Sequence, residues 1–105
     1  MRVVAVALLS FLAALGCKGD PQKCEQACRN YATLVYWKQA DAEIAAAPQA
    51  QRDDLRKQKL AKFTADLENG VNMCTSRCIS ANNDTQIDCL IGAKTADQAQ
   101  ACTKE

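Results

Sequence analysis

CEQAC, residues 24–28, and CTSRC, residues 74–78, repeat one pattern: two cysteines separated by three residues. On an α-helix that spacing stacks the two sulfurs one turn apart on a single face. If the two segments lie on antiparallel helices, partners across the interface have residue numbers of constant sum. Cys24 with Cys78 and Cys28 with Cys74 meet that condition together. The crossed pairs, Cys24 with Cys74 and Cys28 with Cys78, are each offset by four residues, about 6 Å along the axes, which exceeds what disulfide geometry tolerates. The accepted register centres the chain reversal on Gln51.

Turn chemistry puts the reversal in the same place without reference to any cysteine. Pro48 disfavours helical backbone at Ala47. Upstream, Asp20-Pro21 is a helix start, because the carboxylate can cap free N–H groups and proline is tolerated at the first helical position. A first helix is therefore expected over about 21–47, and a second over about 53–80, ended by Asn82-Asn83. In the second, Leu60, Phe63, Leu67 and Val71 join Cys74 and Cys78 at steps of three and four, a narrow stripe suited to one partner helix. The register sets Tyr31 against Val71, Val35 against Leu67 and Ala42 against Leu60. Gly70 is read as making room for the Tyr31 ring.

The first helix has a wider apolar arc, since Ala27, Leu34, Trp37 and Ile44 flank the row through Cys24, Cys28, Tyr31 and Val35. Its second partner is the C-terminal segment. There Thr85-x-x-Asp88 and Thr95-x-x-Gln98 look like capping signals and Gly92 suits a helix end, so two short helices are expected, about 85–92 and 95–103. The break between them is needed to pair Cys89 with Cys102, which one unbroken helix would hold ~20 Å apart. The expected fold is all-α: a long antiparallel helical hairpin stapled by two disulfides, plus two short C-terminal helices, in one domain over 21–105. So small a domain needs such staples, because its core alone stabilises it poorly. The twin CxxxC hairpin resembles the α-hairpin proteins of the mitochondrial intermembrane space. The long insert 29–73 and the export signal described next set it apart from them, and the likeness is taken as convergent. It implies a rigid helical scaffold, and chaperone activity does not carry over.

Seven cysteines leave one over. The first residues say which. Arg2 followed by the apolar run Val3–Leu15 has the layout of an export signal, residues 1–16, and at ~1.5 Å per residue that run is too short to span a bilayer core roughly 30 Å thick. Ala14-Leu15-Gly16-Cys17 resembles the lipobox of bacterial lipoproteins, in which the cysteine receives diacylglycerol and becomes the new N-terminus. The resemblance implies a lipidated Cys17, a short tether over 17–20 and a membrane contact through the lipid. Lys18 directly after it implies the outer rather than the inner membrane by the rule known for enteric lipoproteins. With Cys17 acylated, the other six cysteines can all pair.

Composition narrows the function. The thirteen Lys and Arg include Arg2, and without it the remaining twelve balance the twelve Asp and Glu, so no field for nucleic acid follows. There is no histidine, which removes the commonest general base and the histidine-dependent nucleophile schemes, and there is no glycine-rich phosphate loop. An enzyme is not expected, nor a cofactor or a metal. The four helical cysteines could in principle hold a soft metal or act as a redox dithiol, but an oxidising compartment and an even count favour structural disulfides. Tyr36 and Trp37, at the edge of the apolar arc with Tyr36 pointing further out, are the residues to watch for contact with a partner. The expected function is a non-catalytic structural or protein-binding role in the cell envelope, opposite an unknown envelope protein. A metal-handling or thiol-redox protein is the alternative.

Overall fold

The computed structural model describes residues 19–104. The expected signal, the acylation site Cys17 and Lys18 of the tether lie outside the described residues, as does Glu105. Four α-helices follow one another, and no strand occurs among the described residues. Helix α1, Pro21–Ala46, starts as its sequence implies: an Asp20 carboxylate oxygen accepts from the N–H groups of Gln22 (2.9 Å) and Lys23 (3.4 Å), with Pro21 at the first position. It stops where Ala47 turns extended before Pro48. One turn of 3-10 helix, Gln49–Gln51, leads into α2, Arg52–Ala81. Arg52 reaches back across the turn and donates to the carbonyls of Ala45 and Ala47, both at 3.0 Å, satisfying acceptors that the end of α1 leaves open.

Helix α2 ends at Asn82, whose left-handed backbone (φ 49°, ψ 49°) lets its N–H donate to the Cys78 carbonyl. That residue turns the chain sharply enough for Asn83 to cap the next helix, α3, Asp84–Gly92, by accepting from the Gln86 N–H at 3.1 Å. The cap is thus Asn83 and not Thr85, because the left-handed turn brings the new helix on earlier than its threonine. Thr95 does cap α4, Ala96–Cys102, accepting from the Gln98 N–H, while the Gln98 side chain accepts from the Lys94 N–H in return. All four helices lie within one residue of the expected boundaries.

Helix α1 is the hub. It packs along α2 on one side and against α3 and α4 on another, whereas α2 makes no extensive contact with α3 or α4. The disulfides are Cys24–Cys78, Cys28–Cys74 and Cys89–Cys102, with Cα separations of 5.7, 5.9 and 5.8 Å. The core lies at the bridged end, where Cys24, Ala27, Ile87, Leu90, Ala93 and Ala99 are buried together. Alanines dominate it, which lets α3 and α4 sit close on α1. Asn30 of α1 fastens the end of α3 by donating to the carbonyls of Leu90 (2.7 Å) and Ala93 (3.0 Å). Gly92 ends α3 without a left-handed φ, so the capping is done by a side chain from another helix.

The other long helix is held thinly. Val71 is the single buried residue of α2's thirty. The expected stripe is covered unevenly: Phe63, Leu67, Cys74 and Cys78 are partly covered around the buried Val71, but Leu60 is 52 % exposed and its expected partner Ala42 is exposed too. Towards the turn Ala40 and Ile44 of α1 are buried, and polar contacts, the Glu43–Lys59 ion pair and the Arg52 bonds, join the hairpin around them. Gly70 does not make room for Tyr31, since a methyl group built on it meets nothing within 4 Å. It lies on the exposed face of α2, while Tyr31 packs against the core on the α3 side. Gly19 is the glycine that close approach requires: a Cβ there would come within 3.3 Å of the Ile79 backbone.

Two substitutions test this arrangement. Gly70→Ala should raise stability by about 0.5–1 kcal/mol, through helix propensity alone, in denaturant unfolding of the oxidised protein, whereas Gly19→Ala should lower it. A destabilised Gly70→Ala would mean that the site is filled. Replacing Cys89 and Cys102 together by alanine should cost about 3 kcal/mol by the loop-entropy relation while leaving both hairpin disulfides detectable in a non-reducing peptide map.

Candidate functional site

The chemistry of this chain concentrates in two places along α1: the bridged end, where the N-terminal tether also arrives, and an aromatic cluster halfway along. At the bridged end all six cysteines of the described residues are consumed in disulfides, so none offers a thiolate to a metal in this state. Cys24, close to the start of α1 and the best placed of the six to be an activated thiol, is 0 % exposed and bonded to Cys78. Among the described residues no group of three His, Cys, Asp or Glu side chains converges as a metal site. Bonds of this kind persist in oxidising compartments, and they place the folded chain outside the cytoplasm. No helix among the described residues is long and apolar enough to cross a membrane.

The aromatic cluster joins Tyr36 and Trp37 of α1 with Phe63 of α2. Ring centroids lie 5.3 Å apart for Tyr36 and Trp37, 5.1 Å for Tyr36 and Phe63, and 5.7 Å for Trp37 and Phe63. Tyr36 does not point away from the hairpin: its hydroxyl donates to the Lys59 carbonyl at 2.6 Å, so the side chain bridges the two helices. Of the two residues singled out for partner contact, Trp37 faces the cleft shared with α4, while Tyr36 borders smaller clefts on the α2 side. The Trp37 cleft, about 430 Å³, is bounded on the α1 side by Thr33, Trp37 and Asp41 and on the α4 side by Thr95 and Asp97. Lys38 closes one end by pairing with Asp97.

Charged pairs tie the same elements together. Arg29 grips Glu68 of α2 through two bonds, 2.7 and 3.3 Å, and Glu25 of its own helix at 3.0 Å. The Arg29 guanidinium holds the Glu68 carboxyl below its ordinary range, and Lys38 does the same for Asp97. None of these pairs was singled out in the sequence, although Glu43 and Lys59 obey the constant-sum register of the cysteines and could have been found by it. Arg29 and Glu68 fall outside that register, because long side chains reach a turn up or down the partner helix.

For a carboxylate whose folded pKa is depressed, the stabilisation is complete above the unfolded value and is lost as pH falls through the folded value. Thermal unfolding should therefore be flat above about pH 5 and weaken below about pH 4. A Glu68→Gln, Asp97→Asn double variant should show a shallower acid limb, by a margin that shrinks in added salt because both pairs are exposed. An unchanged acid limb would remove these pairs from the account. Set beside protein-family models, curated proteins and solved structures, the chain matches none.

Proposed function

We propose that this chain is a lipid-anchored protein of the cell envelope, in which acylated Cys17 tethers a rigid, non-catalytic helical scaffold that presents a protein-binding surface. Parity carries the reading. The sequence has seven cysteines, six of them pair with one another, and Cys17 is left over with no partner cysteine in this sequence. Acylation is the modification that its lipobox-like setting, Ala14-Leu15-Gly16-Cys17, would supply.

The approach of the tether supports the same reading. Gly19 packs against the backbone of Ile79 at the bridged end, so the chain enters the described fold beside the disulfides. The 26-residue helix α1 then runs ~39 Å away from the anchor, and the Pro48 turn becomes the distal tip. Trp37 and its cleft lie on that outward stretch, partly exposed, as an aromatic anchor for a partner would be. An outer-membrane destination follows from Lys18 by the lipoprotein resemblance. The alternative, thiol-redox or metal handling, would require the Cys24–Cys78 and Cys28–Cys74 disulfides to be opened first.

The test is intact mass combined with fractionation. The mature protein should exceed the mass of residues 17–105 by a lipid-sized increment and gain six hydrogens on reduction, one pair for each disulfide. Cys17→Ser should move the protein from the membrane to the soluble fraction. Membrane association that persists in this variant would overturn the anchor, and bound metal or free thiols in the native mass would favour the alternative.

A further inference from the structure

Because α2 and α3 both lean on α1 but scarcely touch each other, a groove opens between them beside the disulfides. Its volume is about 340 Å³, at the lower end of the range typical of small-molecule sites, roughly 300–1,000 Å³. The floor is Tyr31 and the Cys28–Cys74 bridge, one wall is Ala81 of α2, and the other is Ile87 and Leu90 of α3. The lining is mostly apolar, and few polar side chains border it. Gln86 is engaged through its donation to the Cys102 carbonyl, and Thr103 through its donation to the Gln100 carbonyl. Tyr31 and Arg77 remain, with donors that no other described residue accepts, and Arg77 pairs with no carboxylate among the described residues.

We infer that this groove binds a long-chain fatty acid, with the hydrocarbon over the Cys28–Cys74 bridge and the carboxylate on Arg77. The walls are helices whose backbone groups are already bonded internally, so an extended peptide lying here would lose its own hydrogen bonds to water and find none in return. A hydrocarbon chain has no such groups to satisfy. The single uncompensated charge at the groove is cationic, and a guanidinium presents the forked donors that a carboxylate accepts. The groove lies at the same end of α2 as Gly19: Cys78 and Ala81 line the groove, and Gly19 packs on the adjacent Ile79. The inference does not require Cys17 to be acylated.

The test uses the oxidised protein, both wild type and Cys17→Ser, titrated with a fluorescent fatty acid that palmitate then displaces. Saturable binding with one site per chain is expected. Arg77→Ala should weaken it at least tenfold, Arg77→Lys should restore most of it, and hexadecanol should compete poorly. Ala81→Trp, at an exposed position, should fill the groove and abolish binding while the disulfide map stays intact. Absence of saturable binding to either form, or binding indifferent to both Arg77→Ala and Ala81→Trp, would overturn the proposal. Equal competition by hexadecanol would overturn the carboxylate assignment. Binding by Cys17→Ser but not by the lipidated protein would make the occupant the chain's own acyl group, and a concentration-dependent dimer abolished by Ala81→Trp would make it a second copy of the chain. None of these outcomes depends on where the protein fractionates, so anchoring and fatty-acid binding fail separately.

Discussion

Two covalent bonds between α1 and α2 do what a hydrophobic core does in larger proteins. Helix α2 buries a single side chain, Val71, and most of its remaining contacts are partly exposed apolar residues or surface ion pairs. Such contacts stabilise a pairing weakly and specify its register poorly. The Cys24–Cys78 and Cys28–Cys74 bridges, one helical turn apart, permit one register and one relative rotation. The Arg29–Glu68 grip, the Tyr36 hydroxyl on the Lys59 carbonyl and the Glu43–Lys59 pair then form between helices that are already aligned.

Most of the remaining hydrophobic burial lies on the other side of α1, with Ala40 and Ile44 buried nearer the turn. Ala27, Ala93 and Ala99 allow α3 and α4 to pack closely, with Ile87 and Leu90 supplying most of the apolar bulk. The molecule is therefore asymmetric about its hub: a small conventional core on one flank and a covalently pinned helix on the other. The groove beside the disulfides is the seam between those two modes of attachment. Neither α2 nor α3 has a reason to close it, because each is already fixed to α1 by other means.

What could be read from the sequence follows the same division. The cysteine register, the Pro48 turn, the Asp20 and Thr95 caps and the need of α1 for two partners were all legible, because each rests on local spacing or on covalent geometry. Three details of the hairpin were not. Gly70 was matched to Tyr31 by register alone, which ignores the rotation that turns Gly70 outward. Leu60 looked like part of a continuous stripe, yet periodicity reports which residues share a face and not how far a partner covers it. Tyr36 looked like an outward residue because the phenol can reach a backbone carbonyl of α2 only once the helices are in place. In the candidate site Trp37 was visible in advance. Arg77 was not, although it lies inside the CTSRC stretch, because spacing does not report which charges the packed helices leave beside an apolar groove.

The positions of the bridges also determine how the chain responds to tension. The Cys24–Cys78 bond closes a loop that contains nearly all of α1, the turn and most of α2. A pull applied between the tether and the C-terminal helices enters at Asp20, crosses that bond within about one helical turn and leaves towards Asn82. The hairpin between the two cysteines carries none of the load. The Cys89–Cys102 bond likewise removes α4 and the end of α3 from the load path. The extensible length of the protein is reduced to the short stretches 19–24, 78–89 and 102–104, and the rest behaves as an inextensible side arm for as long as its cystines remain oxidised.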